Sequence, residues 1–101
     1  MSSMRKMNPR VKWFVKQMQG KLRQNTDKTD SRELTYNDLY RFLRGEVSEL
    51  RLALEDNKND GYVQEAIIKE CADVANFAMM IADKVKLHSS QSPHRHVTRK
   101  E

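Results

Sequence analysis

Four carboxylates occupy positions where an amphipathic helix normally carries apolar side chains. Glu46 and Glu49 form one i, i+3 pair, and Glu70 and Asp73 form another, so each pair projects from one side of a helix. On a wheel of about 3.6 residues per turn, Glu46 and Glu70 both fall in the middle of an apolar stripe. The residues of those two stripes are Leu39, Phe42, Leu50 and Ala53, and Val63, Ile67, Val74, Phe77 and Ile81. Burying several ionised carboxylates together is costly unless cations or protons offset their charge.

A divalent metal is the simplest source of that positive charge, and we predict a metal site at these four residues. The alternative is a set of structural ion pairs, for example between Glu46 or Glu49 and Arg44, Arg51 or a cation on another helix. An all-oxygen ligand set favours Mg²⁺, with Mn²⁺ possible, over iron or zinc. Neither pair includes the histidine of a Glu-x-x-His di-iron site. Metals held by carboxylates commonly serve phosphate chemistry.

The net charge of +5 is distributed unevenly along the chain. Residues 1–28 carry eight Lys or Arg and one acid, whereas residues 29–87 carry eight basic and twelve acidic groups. A basic helix beside an acidic cluster suits a polyphosphate that is held between cations and a metal. The alternative interpretations are nonspecific attraction to nucleic acid, or simply solubility, although we do not expect nucleic acid as the main ligand.

Length and composition predict one small, helical domain. The chain has 101 residues, of which 38% are hydrophobic, with three Gly and two Pro. No apolar stretch reaches the roughly 18 residues of a membrane span, so no membrane association is expected. The single cysteine, Cys71, excludes an internal disulfide and favours a reduced thiol in a cytoplasmic protein.

Capping residues and apolar spacing predict three helices. Asn8 is a suitable N-cap and Pro9 suits the first helical position. Thr35 with Asp38 resembles a capping box that opens the second helix. The first predicted helix begins near Asn8 and is followed by a loop at 25–33. The second runs from Thr35 to about Glu55 and is followed by a loop at 57–61. The third runs from about Tyr62 to about Leu87.

The third predicted helix is apolar on nearly all sides. Between Cys71 and Ala82 only Asp73 and Asn76 are polar, and three helices of one chain do not easily enclose such a helix. We therefore expect an all-α fold, a short helical hairpin-type bundle of three main helices. Oligomerisation to a homodimer or larger would complete it into a four-helix-bundle-like core. Residues 1–87 are assigned to this domain and residues 88–101 to a disordered basic tail.

The acidic pairs and their surroundings resemble the MazG-like, all-α nucleoside triphosphate pyrophosphohydrolases. The motif is Glu46-x-x-Glu49, twenty intervening residues, and Glu70-x-x-Asp73. The flanking segments 39–54 and 65–77 also resemble the second and third helices of that family. Similarity to its first helix and following loop lies in Trp13, Met18-Gln19-x-Lys21-Leu22 and Asn25-x-x-Lys28. The match covers roughly 13–85, with Thr29 where a common family form has Gly, and without the fourth helix of many relatives.

The resemblance implies a Mg²⁺-dependent hydrolase that acts on acid anhydrides and cleaves an NTP or dNTP to the monophosphate and pyrophosphate. It implies that Glu46, Glu49, Glu70 and Asp73 hold the metal and are catalytic, with one of them able to orient the attacking water. The substrate-binding residues that it implies are Trp13, Lys16, Lys21, Asn25, Lys28 and Asn76.

Alternatives remain for several of these residues and for the function. Lys16 and Lys21 can instead lie on a solvated helix face, Trp13 can anchor the core, and Asn76 can fix a carboxylate or form a dimer contact. A non-catalytic module that binds nucleotide and metal is one rival function. A small basic helical protein that binds nucleic acid or protein is another, but it leaves the buried acids without a purpose.

Overall fold

The computed structural model describes residues 6–24, 31–56 and 61–91, and it contains three main helices. Helix α1 spans Pro9–Gln24, α2 spans Tyr36–Asp56 and α3 spans Gly61–Gln91. A short 3-10 turn, Ser31–Glu33, forms inside the segment predicted as a loop. No strand occurs within these described ranges, so the all-α prediction is confirmed.

Both predicted helix caps are formed. The Asn8 side-chain oxygen accepts a hydrogen bond from the Arg10 N–H at 2.8 Å, and the Asn8 carbonyl accepts one from the Lys12 N–H at 3.0 Å. At the start of α2, Thr35 Oγ1 accepts from the Asp38 N–H at 3.0 Å. The Thr35 N–H donates in return to Asp38 Oδ2 at 3.2 Å. This reciprocal pair is a capping box with Asp in place of the usual Glu.

Helix α3 continues four residues beyond its predicted end at Leu87, so the assignment of 88–91 to a disordered tail is wrong. His88 lies edge-on to the Tyr36 ring, with centroids 5.9 Å apart. One turn earlier, Lys84 Nζ lies 5.3 Å from the centre of the same ring. Contacts of this kind with the first turn of α2 stabilise the end of α3. The rest of the predicted tail, 92–101, and the predicted turn residues 57–60 lie outside the described residues.

Helix α3 is the central element, because both other helices pack against it. Its pairing with α2 is antiparallel, since Phe42 contacts Phe77 and Tyr36, earlier in the chain, contacts His88, later in the chain. The pairing with α1 is also antiparallel, because Met18 contacts Asn76 while Lys21 contacts Asp73. The result is a helical hairpin of α2 and α3, with α1 along another side of α3.

The apolar core of the single chain is small. Among the described residues only Leu39, Val63 and Ala72 are buried hydrophobic residues. In the same part of the chain, eleven large hydrophobic side chains are more than a third exposed: Val11, Trp13, Tyr36, Tyr40, Phe42, Val47, Leu52, Leu54, Tyr62, Met79 and Val85. An apolar surface of that extent is typical of an interaction face. None of the described helices combines the length and apolar content that crossing a membrane requires.

Candidate metal centre

Three of the four predicted carboxylates converge between α2 and α3. Glu46 on α2 and Glu70 and Asp73 on α3 each offer an oxygen, and these oxygens all lie within 4.8 Å of one another. All three residues are partly buried. The i, i+3 spacing places both α3 acids on one side of that helix, and the antiparallel pairing brings Glu46 opposite them. We refer to Glu46, Glu70 and Asp73 as the acidic trio.

Glu49 lies outside the acidic trio and is exposed. Its carboxylate is nevertheless close enough for its negative charge to raise the pKa of Glu46. The structure therefore separates the four acids into three that converge and one at the margin. The sequence did not reveal this division, because two acids with i, i+3 spacing look equivalent in it. Which acid joins the trio depends on where α2 and α3 contact each other.

The environment of Glu46 disfavours its charged form and raises its pKa from 4.5 to about 7. Partial burial is the largest cause, followed by the negative charge of Asp73. A hydrogen bond between the Glu46 and Glu70 carboxyl groups also raises it, as do the charges of Glu70 and Glu49. Near neutral pH a proton on Glu46 thus offsets part of the charge of the acidic trio.

Lys21 on α1 supplies a second positive charge. Its Nζ lies 3.4 Å from Asp73 Oδ2, and the two side chains are 21% and 16% exposed. The alternative of structural ion pairs therefore holds for Asp73. Within the described ranges, Glu46 and Glu70 have no such ion pair, and Glu70 Oε1 is a buried oxygen without a hydrogen-bond partner. Three clustered carboxylates are only partly compensated by one lysine and one proton.

The acidic trio fits a small divalent cation. Two ligand oxygens on one Mg²⁺ ion lie at most about 4.2 Å apart, because each is about 2.1 Å from the metal. The 4.8 Å spread of the trio therefore needs side-chain adjustments of less than about 1 Å. The donors are all carboxylate oxygens, the ligands that Mg²⁺ and Mn²⁺ prefer. The unpartnered oxygen of Glu70 is available as a ligand.

Asn76 links α1 to α3. It is only 3% exposed, and its Nδ2 donates a hydrogen bond to the Met18 carbonyl at 3.0 Å. This contact within the chain accounts for the lone polar residue in the apolar helix without a dimer interface. Ala72, one turn earlier on α3, is fully buried. The Asn76 Oδ1 atom is buried and has no hydrogen-bond partner among the described residues.

The remaining predicted substrate residues are not gathered at the acidic trio in the same way. Trp13 is 49% exposed, so it does not anchor the core, and its ring lies 6.1 Å from that of Phe14. Lys16 is exposed on α1, as expected for a solvated helix face. Asn25 and Lys28 lie outside the described residues.

Phe42 and Phe77, which the sequence placed only in the two apolar stripes, form an aromatic pair about one helical turn from Glu46 and Asp73. The Phe42 and Phe77 rings lie 5.6 Å apart, and Phe42 is 47% exposed. Phe42 precedes Glu46 by four residues and Phe77 follows Asp73 by four. Because α2 and α3 are antiparallel, both rings are displaced in the same direction, about 6 Å along the helices. The i−4 and i+4 spacing to the acids was the signal that could have identified the pair.

Comparison with protein families, with curated proteins and with solved structures gives no significant match to this chain. The resemblance to the MazG-like family therefore rests on the acidic motif and its flanking residues.

Proposed function

We propose that this protein is a Mg²⁺-dependent nucleoside triphosphate pyrophosphohydrolase that cleaves an NTP or dNTP to the monophosphate and pyrophosphate. The observation that carries the proposal is the convergence of Glu46, Glu70 and Asp73 from two helices, with oxygens within 4.8 Å of one another. Hydrolysis of a phosphoanhydride depends mainly on charge neutralisation and positioning, which such a cluster provides through a cation. Mn²⁺ is a suitable substitute for Mg²⁺.

In this proposal the acidic trio holds the cation, which supplies charge neutralisation for the triphosphate and the leaving pyrophosphate. We assign to Glu49 the task of orienting the attacking water, because it lies beside Glu46 but outside the trio and is open to solvent. A carboxylate in that position accepts a hydrogen bond from water and fixes its direction of approach. The water oxygen bonds to the α-phosphorus as the bond from that phosphorus to the bridging oxygen breaks. The water proton passes to the Glu49 carboxylate, and pyrophosphate leaves.

Basic and aromatic side chains near the acidic trio suit the rest of such a substrate. Lys21 lies beside Asp73, within reach of a phosphate chain held at the cation. Phe42 presents an exposed ring one helical turn from Glu46, where a nucleobase can stack. We also propose that the protein works as a homodimer or larger oligomer in the cytoplasm, where Cys71 remains reduced and nucleotides are abundant.

A nucleotide screen tests this function. The wild-type protein is incubated with canonical and modified NTPs and dNTPs in Mg²⁺, and pyrophosphate release is measured, with an EDTA control. We expect at least one nucleotide to release pyrophosphate only in the presence of metal, and Glu70→Gln to remove the activity. The function of a non-catalytic binding module is favoured instead if nucleotides bind but no pyrophosphate appears with any of them.

A further inference from the structure

The contact between Lys21 and Asp73 is held in place by a second contact one helical turn away. Met18 precedes Lys21 by three residues, and its carbonyl accepts the 3.0 Å hydrogen bond from Asn76, which follows Asp73 by three. Both residues of the ion pair are partly buried, with side-chain exposures of 21% and 16%. The α1–α3 interface therefore holds the Lys21 backbone beside this carboxylate.

The Asp73 carboxylate belongs both to this ion pair and to the acidic trio. A divalent cation held by the trio would bind an oxygen of the Asp73 carboxylate, whose Oδ2 lies 3.4 Å from the Lys21 ammonium group. Two positive charges on one carboxylate repel each other, and partial burial reduces the screening of that repulsion. The lysine and the cation therefore compete for Asp73.

We propose that Lys21 is a resident counter-ion of Asp73 that a divalent cation displaces, and that the displaced ammonium group then binds the phosphate chain of the substrate. This inference rests on the proposed function and specifies how the site is regulated. The lysine stem is flexible, so Nζ can leave Asp73 while the α1 backbone stays attached through Asn76. Metal binding in this way converts the counter-ion of Asp73 into a group that recognises phosphate.

The proposal gives Lys21 opposite effects on two binding steps. Removing its charge favours the cation, because the competitor for Asp73 is gone. The same change disfavours the substrate, because a phosphate contact is lost. A lysine that only stabilises the fold, or only attracts anions, does not produce this combination.

Mn²⁺ binding measured by electron paramagnetic resonance, without nucleotide, is the direct test. We expect Lys21→Met to bind Mn²⁺ about tenfold more tightly than the wild type at low ionic strength. Lys12→Met is the matched control, since it removes one charge from an exposed position on the same helix. It should change the affinity less than about twofold, as distant exposed charges are screened. Kinetics in saturating Mg²⁺ should give a higher KM for Lys21→Met.

Lys21→Arg provides a second variant that keeps the charge, in case Lys21→Met does not fold. A guanidinium group binds a carboxylate through two parallel hydrogen bonds, so Lys21→Arg should hold Asp73 more firmly and weaken Mn²⁺ binding. Unchanged or weaker Mn²⁺ binding by Lys21→Met, or tighter binding by Lys21→Arg, would overturn the displacement. An unchanged KM would overturn the phosphate contact.

The outcomes also separate this inference from the proposed function. If the wild type binds no Mn²⁺, the proposed function fails and this inference fails with it. If Lys21→Met binds Mn²⁺ more tightly than the wild type, but neither the wild type nor the variant hydrolyses a nucleotide, the displacement stands and the pyrophosphohydrolase function is contradicted. If the wild type hydrolyses nucleotides and Lys21→Met binds Mn²⁺ no more tightly, the function stands and the displacement is contradicted.

Discussion

At the scale of the residue, a bound proton and a neighbouring ammonium group offset the negative charge of the acidic trio. One is a proton on Glu46, whose pKa is raised to about 7 by burial and by the charges of Asp73, Glu70 and Glu49. The other is the Lys21 ammonium group on Asp73. In the proposed metal site a divalent cation would replace both, so we expect metal binding to release a proton and to become more favourable as the pH rises.

The pKa of Glu46 predicts how stability without metal depends on pH. The ordinary value is 4.5 and the folded value is about 7, so between these pH values the folded state binds more protons than the unfolded state. The free energy of unfolding in EDTA should fall as the pH rises through this window. Because burial is partial, we expect a loss of about 1–2 kcal/mol. Urea denaturation of wild type and Glu46→Gln at several pH values measures it.

Glu46→Gln should remove most of this dependence, leaving the variant as stable as the wild type or more stable above pH 7, yet inactive. If Glu46 is instead a required partner in a structural ion pair, the same change should lower stability by several kcal/mol. A large fall in melting temperature with activity retained would therefore contradict the metal site.

The division between the acidic trio and Glu49 predicts different defects for two conservative substitutions. Glu46→Gln removes a metal ligand, so both Mn²⁺ affinity and turnover should fall. Glu49→Gln should leave Mn²⁺ affinity within about threefold of wild type and lower kcat by about 10²-fold or more, the range of a lost general base. Spin-resonance titration and steady-state kinetics measure the two quantities. Equal losses of Mn²⁺ affinity in both variants would show that Glu49 is also a ligand.

The sequence predicted the gathering of acids but not every contact around them. Glu46, Glu70 and Asp73 were predictable because carboxylates in an apolar stripe point toward the facing helix. The contacts of Lys21, Trp13 and Asn76 were not predictable, because they depend on the rotation of α1 against α3. Helical spacing fixes the faces of one helix, but it does not fix how two helices are turned toward each other.

At the scale of the element, the capping residues determine where α2 begins. The hydrogen bond from the Thr35 backbone, followed by that from the Arg41 side chain, lowers the pKa of Asp38. Arg41 Nη2 lies 2.8 Å from Asp38 Oδ1. The Asp38 carboxylate therefore stays ionised to lower pH than an ordinary Asp. Its stabilisation of the helix start is lost only as the pH falls through its lowered pKa.

Thr35→Ala should therefore destabilise the protein by about 1 kcal/mol, as removal of an N-cap hydroxyl does. The hydroxyl accepts the 3.0 Å hydrogen bond from the Asp38 N–H, and alanine leaves that donor without its partner. Ser48→Ala is the matched control, since it removes an exposed hydroxyl within α2 and should leave stability unchanged or slightly higher. Thermal denaturation of the three proteins measures the difference, and equal melting temperatures would argue against the cap.

Local signals predicted the starts of the helices better than the end of α3. Asn8, Pro9 and the capping box act through residues close in sequence, so the sequence pattern alone predicts them. The last turn of α3 is instead stabilised by His88 against Tyr36, which lies more than fifty positions earlier. A polar segment without apolar period gives no sign of such a contact.

At the scale of the whole molecule, many large apolar side chains of the described helices lie at the surface, while the buried core of those helices is small. Tyr40, Val47 and Leu54 follow one exposed line of α2, at intervals of seven residues. On α3, Ala78, Ala82 and Val85 are also exposed. A second copy that covers such surfaces would complete a four-helix core, as the all-round apolar character of α3 predicts.

Ala78→Glu tests this assembly. A charge on the exposed apolar side of α3 should prevent pairing and give aggregated or unfolded protein, not a soluble active monomer. Ser48→Glu, on the exposed polar side of α2, is the control and should leave the assembly intact. Light scattering of the wild type should give at least twice the 11.9 kDa mass of the chain. A compact wild-type monomer with full activity would refute the oligomer.

The most direct measurement of the central claim is a ³¹P nuclear magnetic resonance time course of a substrate from the nucleotide screen, with Mg²⁺. We predict that the triphosphate signals are replaced by those of a nucleoside monophosphate and pyrophosphate, and that neither EDTA-treated wild type nor Glu70→Gln produces them. A nucleoside diphosphate with inorganic phosphate as the products, or equal turnover by Glu70→Gln, would contradict pyrophosphohydrolysis at the acidic trio.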